Sequence, residues 1–211
     1  FYRCYVYYEL NGKEYRNTST VAVDKERIRP TTTMPTDFRE FWETNLKAVK
    51  GAPLESTFAL LPEKCTDKAD VYHISYKVDE RSRFYGILSV PKAEGTFPAK
   101  LSVPGAGVRA YGGDGFENDK VITLQVGIHG IPVNLYHSNI YKELSKGALS
   151  GYAWYRLDDK DQHYYKRVIL GCVRAVDFIH SLPKFDGKTV AISGGSQGGA
   201  LSIITASLDE R

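Results

Sequence analysis

The sequence predicts an α/β domain with a mostly parallel β-sheet over residues 37–211, with a linker over 28–36 before it. Residues 1–27 read as the tail of an upstream β-sandwich-like domain or as a decorating hairpin. Three observations predict this. Strand-like runs alternate with loops and helical patterns along the larger segment. "YYKRVILGCVRAVDFIHSLP" (164–183) carries apolar residues at helical spacing. "KTVAISG" (188–194), a short apolar strand, enters a glycine-lined turn that opens a helix.

Each element follows from local pattern. "FYRCYVYYEL" and "KEYRNTSTVAV" flank Asn11-Gly12, the dipeptide favoured by type I′ hairpin turns. An isolated hairpin is marginal in water, so these strands need partners. The Tyr-x-Cys-x-Val spacing in the first resembles a late strand of an immunoglobulin-like sandwich. "DFREFWETNLKAVK" places Phe38, Phe41, Trp42 and Leu46 on one helical face, with Gly51 as the stop. "DVYHISYKV" (70–78) and "RFYGILSVPK" (83–92) read as strands joined by a short charged turn. "AKLSVPGAG" (99–107) is a strand running into a glycine-rich loop, and "KVITLQVGIHG" (120–130) is a further strand. "SNIYKEL" (138–144) reads as a short helix. In the long helix, Val168, Ile169, Cys172, Val173, Val176 and Ile179 share a face, and Pro183 ends it. The apolar run 188–194 suits a parallel strand buried on both faces, and 197–208 begins a last helix.

Composition narrows the function classes. The 211 residues are 42% apolar, 12% aromatic and 25% charged, an ordinary globular makeup with enough chain for a core. The 28 basic and 25 acidic residues give a formal charge of +3. They are interleaved rather than striped, so no nucleic-acid partner is expected. No run approaches the roughly 18 apolar residues of a membrane span, so no membrane partner is expected. Cys4, Cys65 and Cys172 form no C-x-x-C pair, which argues against a disulfide framework or zinc site. No metal or cofactor is expected. Nothing in the pattern specifies an oligomeric state. The chain begins at Phe1 without a Met. If an upstream signal peptide was removed, a periplasmic or secreted location follows.

The segment with most chemical content is Gly194-Gly195-Ser196-Gln197-Gly198-Gly199, a G-x-S-x-G between strand and helix. Small neighbours let strand and helix pass closely while the serine hydroxyl projects above the sheet. The helix start offers free N–H groups and the positive end of its dipole to an oxyanion. Ser196 is the candidate nucleophile, the Gln197 N–H a candidate oxyanion donor, and Gly194, Gly195 and Gly198 the elbow glycines. The bland alternative is a Gly-rich turn that binds phosphate or merely packs. A P-loop is excluded because no Lys follows the glycines. The glycine loop "VPGAG" supplies a second candidate donor, the Ala106 N–H.

A serine hydrolase of this kind also needs a base and an orienting acid, in the chain order Ser, Asp or Glu, His. His73, His129, His137, His163 and His180 all precede Ser196, and only Asp209 and Glu210 follow it. The chain therefore reads as lacking the triad acid and base, and so as inactive by itself. His129 is a possible pocket residue, His180 a surface residue. The aromatic segment 150–167 lines a groove or makes a surface excursion.

Three stretches resemble the acetyl xylan esterase and cephalosporin-C deacetylase family, the seventh carbohydrate esterase family of the α/β-hydrolase superfamily. They are "DFREFWE", the loop "VPGAG" and "YYKRVILGCVRAVDFIHSLPKFDGKTVAISGGSQGG". The resemblance implies the N-terminal half of an α/β-hydrolase fold with its nucleophile elbow. It implies a serine esterase, truncated at its C-terminal side, whose parent deacetylates carbohydrate. Ser196 matches the family nucleophile and the Gln197 N–H one oxyanion donor. Ala106 stands where the family usually has Tyr. The family's Arg-Gly-Gln motif is absent, and Gly127-Ile128-His129-Gly130 stands there instead. The substrate implied is a small-molecule or carbohydrate ester. The alternatives are a prolyl-oligopeptidase-type serine peptidase and a non-catalytic carbohydrate-binding module using the aromatic surface.

Overall fold

The computed structural model describes residues 1–114 and 118–211. The chain divides into two compact units, Phe1–Arg39 and Glu40–Arg211. In the first, β1 (Tyr2–Leu10) and β2 (Lys13–Val21) pair antiparallel from Tyr2↔Val21 to Leu10↔Lys13. Asn11 and Gly12 have φ of 53° and 73°, both positive as a type I′ turn requires. Pairing fixes the faces: Tyr5 and Tyr7 share one, with the Arg16 guanidinium over both rings.

The second unit holds α1 (Phe38–Lys50, its first two residues in the other unit), β3 (Thr57–Leu60), β4 (Ala69–Lys77), β5 (Arg83–Pro91), β6 (Phe97–Ser102), β7 (Ile122–Gly127), α2 (Ile140–Lys146), α3 (Tyr164–His180), β8 (Phe185–Ser193) and α4 (Gln197–Leu208). Its sheet runs β3-β4-β5-β7-β6-β8. The β3-β4, β4-β5 and β5-β7 pairs are antiparallel, and only β7-β6 and β6-β8 are parallel. The expectation of a mostly parallel sheet is therefore corrected to a mixed one. The turn at 78–82 is too short for a crossover, so it forces β4 and β5 to run opposite ways. β3 went unforeseen: its four residues are all exposed, so burial imposes no pattern on them.

The α3 stripe explains the core. Val168, Cys172, Ala175, Phe178 and Ile179 are buried against Ile74, Tyr76, Phe84, Leu88 and Leu101 from the sheet. Trp42, Leu46 and Val49 of α1 and Leu201 of α4 join the same cluster. Burial pushes the Cys172 thiol up to about 12, which leaves it an inert core residue. The opposite sheet face carries a smaller cluster of Leu61, Val71, Ile87, Tyr111 and Val133.

β8 departs from expectation. Among the described residues it is an edge strand, with Val190 and Ile192 half-buried and Thr189, Ala191 and Ser193 exposed. No described element covers its second face, so it is not buried on both. His180 is also less exposed than expected, because its ring lies edge-on to Phe185 with centroids 4.8 Å apart.

α3 seats closely because Gly171 faces the fully buried Phe84 ring. A Cβ at Gly171 would lie 2.3 Å from the ring edge. The Gly171 carbonyl also accepts a 3.0 Å hydrogen bond from the Tyr76 hydroxyl. Gly171→Ala gains about 1 kcal/mol of helix propensity but overpacks a closed core, which costs about 1–3 kcal/mol. We expect net destabilisation in urea unfolding, partly restored by Phe84→Leu. A stabilised single variant would contradict this packing.

Candidate active site

β8 ends at Ser193, and α4 begins at Gln197. Between them, Ser196 holds φ 54° and ψ −122°. A residue with a Cβ pays about 1–3 kcal/mol for such a sparsely populated conformation, which persists only where surroundings enforce it. Here they do. Val103 N–H donates to Ser193 O at 2.9 Å, Gly198 N–H to Gly195 O at 2.9 Å and Ala200 N–H to Ser196 O at 3.2 Å. The helix start also presses onto the loop after β6. A Cβ at Gly198 would lie 2.4 Å from Val103 O and 3.0 Å from the Pro104 carbonyl carbon. One at Gly194 would lie 2.6 Å from Val103 O. These two glycines are required by backbone approach. Gly195 is not, because a Cβ there would meet nothing within 4 Å.

The strain has a geometric product. Ser196 is exposed, and among the described residues neither its hydroxyl nor the Gln197 N–H has a hydrogen-bond partner. Both are presented beyond the carboxyl end of β8.

The loop after β6 is held plane by plane. The Pro104 carbonyl accepts from Gln197 Nε2 at 3.2 Å. The Gly105 carbonyl accepts from Arg109 Nη2 at 3.2 Å, and the Ala106 carbonyl from Arg109 Nη1 at 2.7 Å. The Gly107 N–H donates to the Tyr152 hydroxyl at 3.3 Å. The Gly107 carbonyl lies 3.0 Å from His129 Nε2. Since a trans peptide is planar, fixing the Gly105 carbonyl fixes the Ala106 N–H on the opposite side. That N–H has no partner among the described residues.

His129 is buried here, its ring edge-on to Tyr152 and its Nδ1 2.7 Å from the Tyr164 hydroxyl. A carbonyl only accepts, so Nε2 carries the proton and Nδ1 accepts from Tyr164. Burial pushes the imidazole below its ordinary value of 6.5, assisted by the Arg167 and Arg109 charges and opposed by the Gly107 hydrogen bond.

Three residues not singled out from the sequence join the site: Tyr152, Tyr164 and Tyr165. Tyr152 and Tyr165 both donate to Gln197 Oε1, at 2.8 and 2.6 Å. The aromatic segment thus divides. These rings turn inward, whereas Trp154 and Tyr155 are 73% and 63% exposed. Tyr164 and Tyr165 stand as a doublet at the start of α3, but nothing local in the sequence assigns them, or Tyr152, to this site. His73, His137, His163 and His180 make no hydrogen bond to Ser196. Asp209, which follows Ser196, is buried in an ion cluster with Arg211 and Lys50. Among the described residues, no group of three or more His, Cys, Asp or Glu could hold a metal ion, and no helix is long and apolar enough to cross a membrane.

The depressed His129 value fixes a sign. Below 6.5 the unfolded chain binds the proton more readily than the folded one, so folding stability is whole above 6.5 and is lost as pH falls. His73, also lowered by burial, adds in the same direction. We expect the unfolding midpoint to drop between about pH 7 and about pH 5. His129→Gln, whose amide still serves Gly107 O, should flatten part of that drop. An unchanged slope would contradict the buried neutral ring.

The acetyl esterase Axe7A of Xylanibacter ruminicola is 37% identical over 213 aligned residues, spanning 96% of this chain and 47% of that protein. The acetyl xylan esterase of Paenibacillus sp. R4 superposes with a TM-score of 0.68 at 27% identity, over 87% of this chain and 59% of that one. Acetyl xylan esterase 1 of Thermoanaerobacterium sp. JW/SL YS485 shares the fold, with a TM-score of 0.68 at 20% identity over 82% of this chain and 55% of that one. The chain thus spans about half the length of these relatives. A profile of the acetyl xylan esterase family matches residues 22–211. With a mixed sheet flanked by helices and a partial α/β-hydrolase fold, the chain belongs to the acetyl xylan esterase family.

Proposed function

We propose that Ser196 is the nucleophile of a serine carboxylic-ester hydrolase that removes acetyl groups from acetylated carbohydrate. The observation that carries this reading is the strained Ser196 backbone between β8 and α4. Strain of this kind is kept where it presents a side chain for chemistry. Family membership and the esterase relatives support the reaction class.

The reaction is acyl transfer in two steps. Ser196 Oγ attacks the acetyl carbonyl carbon as its proton passes to a general base. The carbonyl oxygen becomes an oxyanion that the Gln197 and Ala106 N–H groups would hold. The tetrahedral centre collapses, and the sugar oxygen leaves with the proton. Water then attacks the acetyl-serine by the same route, releasing acetate and restoring the hydroxyl. In this reading the base and its acid lie outside these 211 residues. Its support is that no histidine among them bonds Ser196 and that His129 has both nitrogens engaged. The 211 residues alone are then expected to hydrolyse aryl acetates orders of magnitude more slowly than the complete reading frame carrying them.

In that complete reading frame, a fluorophosphonate probe should label the protein with loss of fluoride, and Ser196→Ala should abolish both labelling and aryl-acetate hydrolysis. Labelling or hydrolysis that survives Ser196→Ala would overturn the assignment. Stability supplies an independent check. Ser196→Gly relieves the positive φ, a gain of about 1–3 kcal/mol, against about 0.4–1 kcal/mol of added unfolded-state entropy. It should therefore be more stable than Ser196→Ala. The reverse order would contradict the strained elbow.

A further inference from the structure

The two candidate oxyanion donors belong to different segments. The Gln197 N–H opens α4, and the Ala106 N–H lies in the loop after β6. Their separation matters because both must reach one oxygen, and a misplacement of about 1 Å can cost about a hundredfold in rate. One side chain ties the two segments together. Gln197 Nε2 donates to the Pro104 carbonyl at 3.2 Å. An amide can turn over and point its oxygen at that carbonyl, which would repel the loop instead of holding it. What prevents this lies on the other end of the same amide: Gln197 Oε1 accepts from Tyr152 at 2.8 Å and from Tyr165 at 2.6 Å. The Pro104 carbonyl only accepts, so the amide nitrogen faces it, and the two phenols donate to the oxygen at the other end and hold the amide in that orientation.

We infer that Tyr152 and Tyr165 are positioning residues of the oxyanion hole: they lock the Gln197 amide so that it clamps the Pro104–Gly107 loop to the start of α4. This rests on the reading of Ser196 as nucleophile. Tyr152 does more than Tyr165, because its hydroxyl also accepts the Gly107 N–H and so touches the loop directly. The two phenols come from different places, Tyr152 from a helical turn before the 155–163 segment and Tyr165 from the first turn of α3. The clamp thus links the oxyanion loop to the core helix as well as to α4. Both rings are partly buried, and neither hydroxyl hydrogen-bonds Ser196. Burial and the neighbouring tyrosines push the Tyr165 phenol up to about 12, so it remains a donor across the working range of an esterase.

The test uses the complete reading frame carrying this chain, with p-nitrophenyl acetate as substrate. Tyr152→Phe and Tyr165→Phe each remove one oxygen from a partly exposed ring and leave its packing. Each should lower kcat about tenfold, the pair about a hundredfold, with KM within about twofold. Thermal unfolding, read alongside, should stay close to that of the parent. A purely structural role would lower the unfolding midpoint and leave the kcat of the folded fraction alone. Gln197→Met keeps the backbone N–H and loses the amide, so it should match the double Phe variant. Adding it to that double variant should cost nothing more, because all three changes cut one clamp. Ser196→Ala separates the two claims. If Ser196→Ala abolishes hydrolysis while the Phe variants keep parental kcat, the clamp is overturned and the nucleophile stands. If Ser196→Ala leaves hydrolysis intact, both fall.

Discussion

Everything at this site depends on one backbone contact. The first turn of α4 lies so close to the strand end at Val103 that a single Cβ at Gly198 would sit 2.4 Å from a carbonyl oxygen. That approach sets the distance from the elbow to the loop after β6. Side chains cannot create it, because any side chain there would prevent it. They can only hold it once made, and Gln197, Arg109, Tyr152 and His129 do so by taking successive peptide groups of the loop. Ser196, between β8 and α4, takes the positive φ.

The far end of α4 is held differently. Arg174 is nearly fully buried in α3, where it meets Asp177 at 2.7 Å and the Ala52 carbonyl at 2.6 Å. Arg211 bridges Asp177 and Asp209, and Lys50 lies 3.5 Å from Asp209. Burial raises the Asp209 carboxyl, but the Arg211 hydrogen bonds and the Arg211 and Lys50 charges outweigh it, so the group stays below its ordinary value. The network joins the ends of α1, α3 and α4. Removing one member would leave a buried charge unpaired, which costs more than the intact pair contributes. α4 is therefore fixed by glycine contact at its start and by ion pairing at its end.

Much of this was legible in the sequence, for physical reasons. The strand, turn and helix around Ser196 follow from an apolar run, four glycines and a helix-forming tail. Asn11-Gly12 specifies its turn because positive φ suits few other pairs. The α3 stripe declares itself by spacing. Sheet direction was less legible: the short turn at 78–82 marks 70–78 and 83–92 as an antiparallel pair, but local pattern does not record which strand a more distant neighbour will be, so the antiparallel pairing of β5 with β7 was missed. β3 was missed because an exposed four-residue edge carries no burial signal. Within the site, Tyr152 and Tyr165 could not be found. They meet Gln197 across 45 and 32 residues, and hydroxyl partners at that separation leave no local pattern. His129 was visible as a pocket candidate, but its link to Gly107 was not.

The central claim is the proposal that the Gln197 and Ala106 N–H groups together hold an oxyanion formed beside Ser196. The most direct measurement is a crystal structure of the complete protein after reaction with a diethyl phosphoryl fluoride. The account predicts phosphorus on Ser196 Oγ and one phosphoryl oxygen within about 3 Å of both the Gln197 and Ala106 nitrogens, with the Pro104–Gly107 loop unmoved. A phosphoryl oxygen directed away from either nitrogen, or a loop that must rearrange to meet it, would contradict the account.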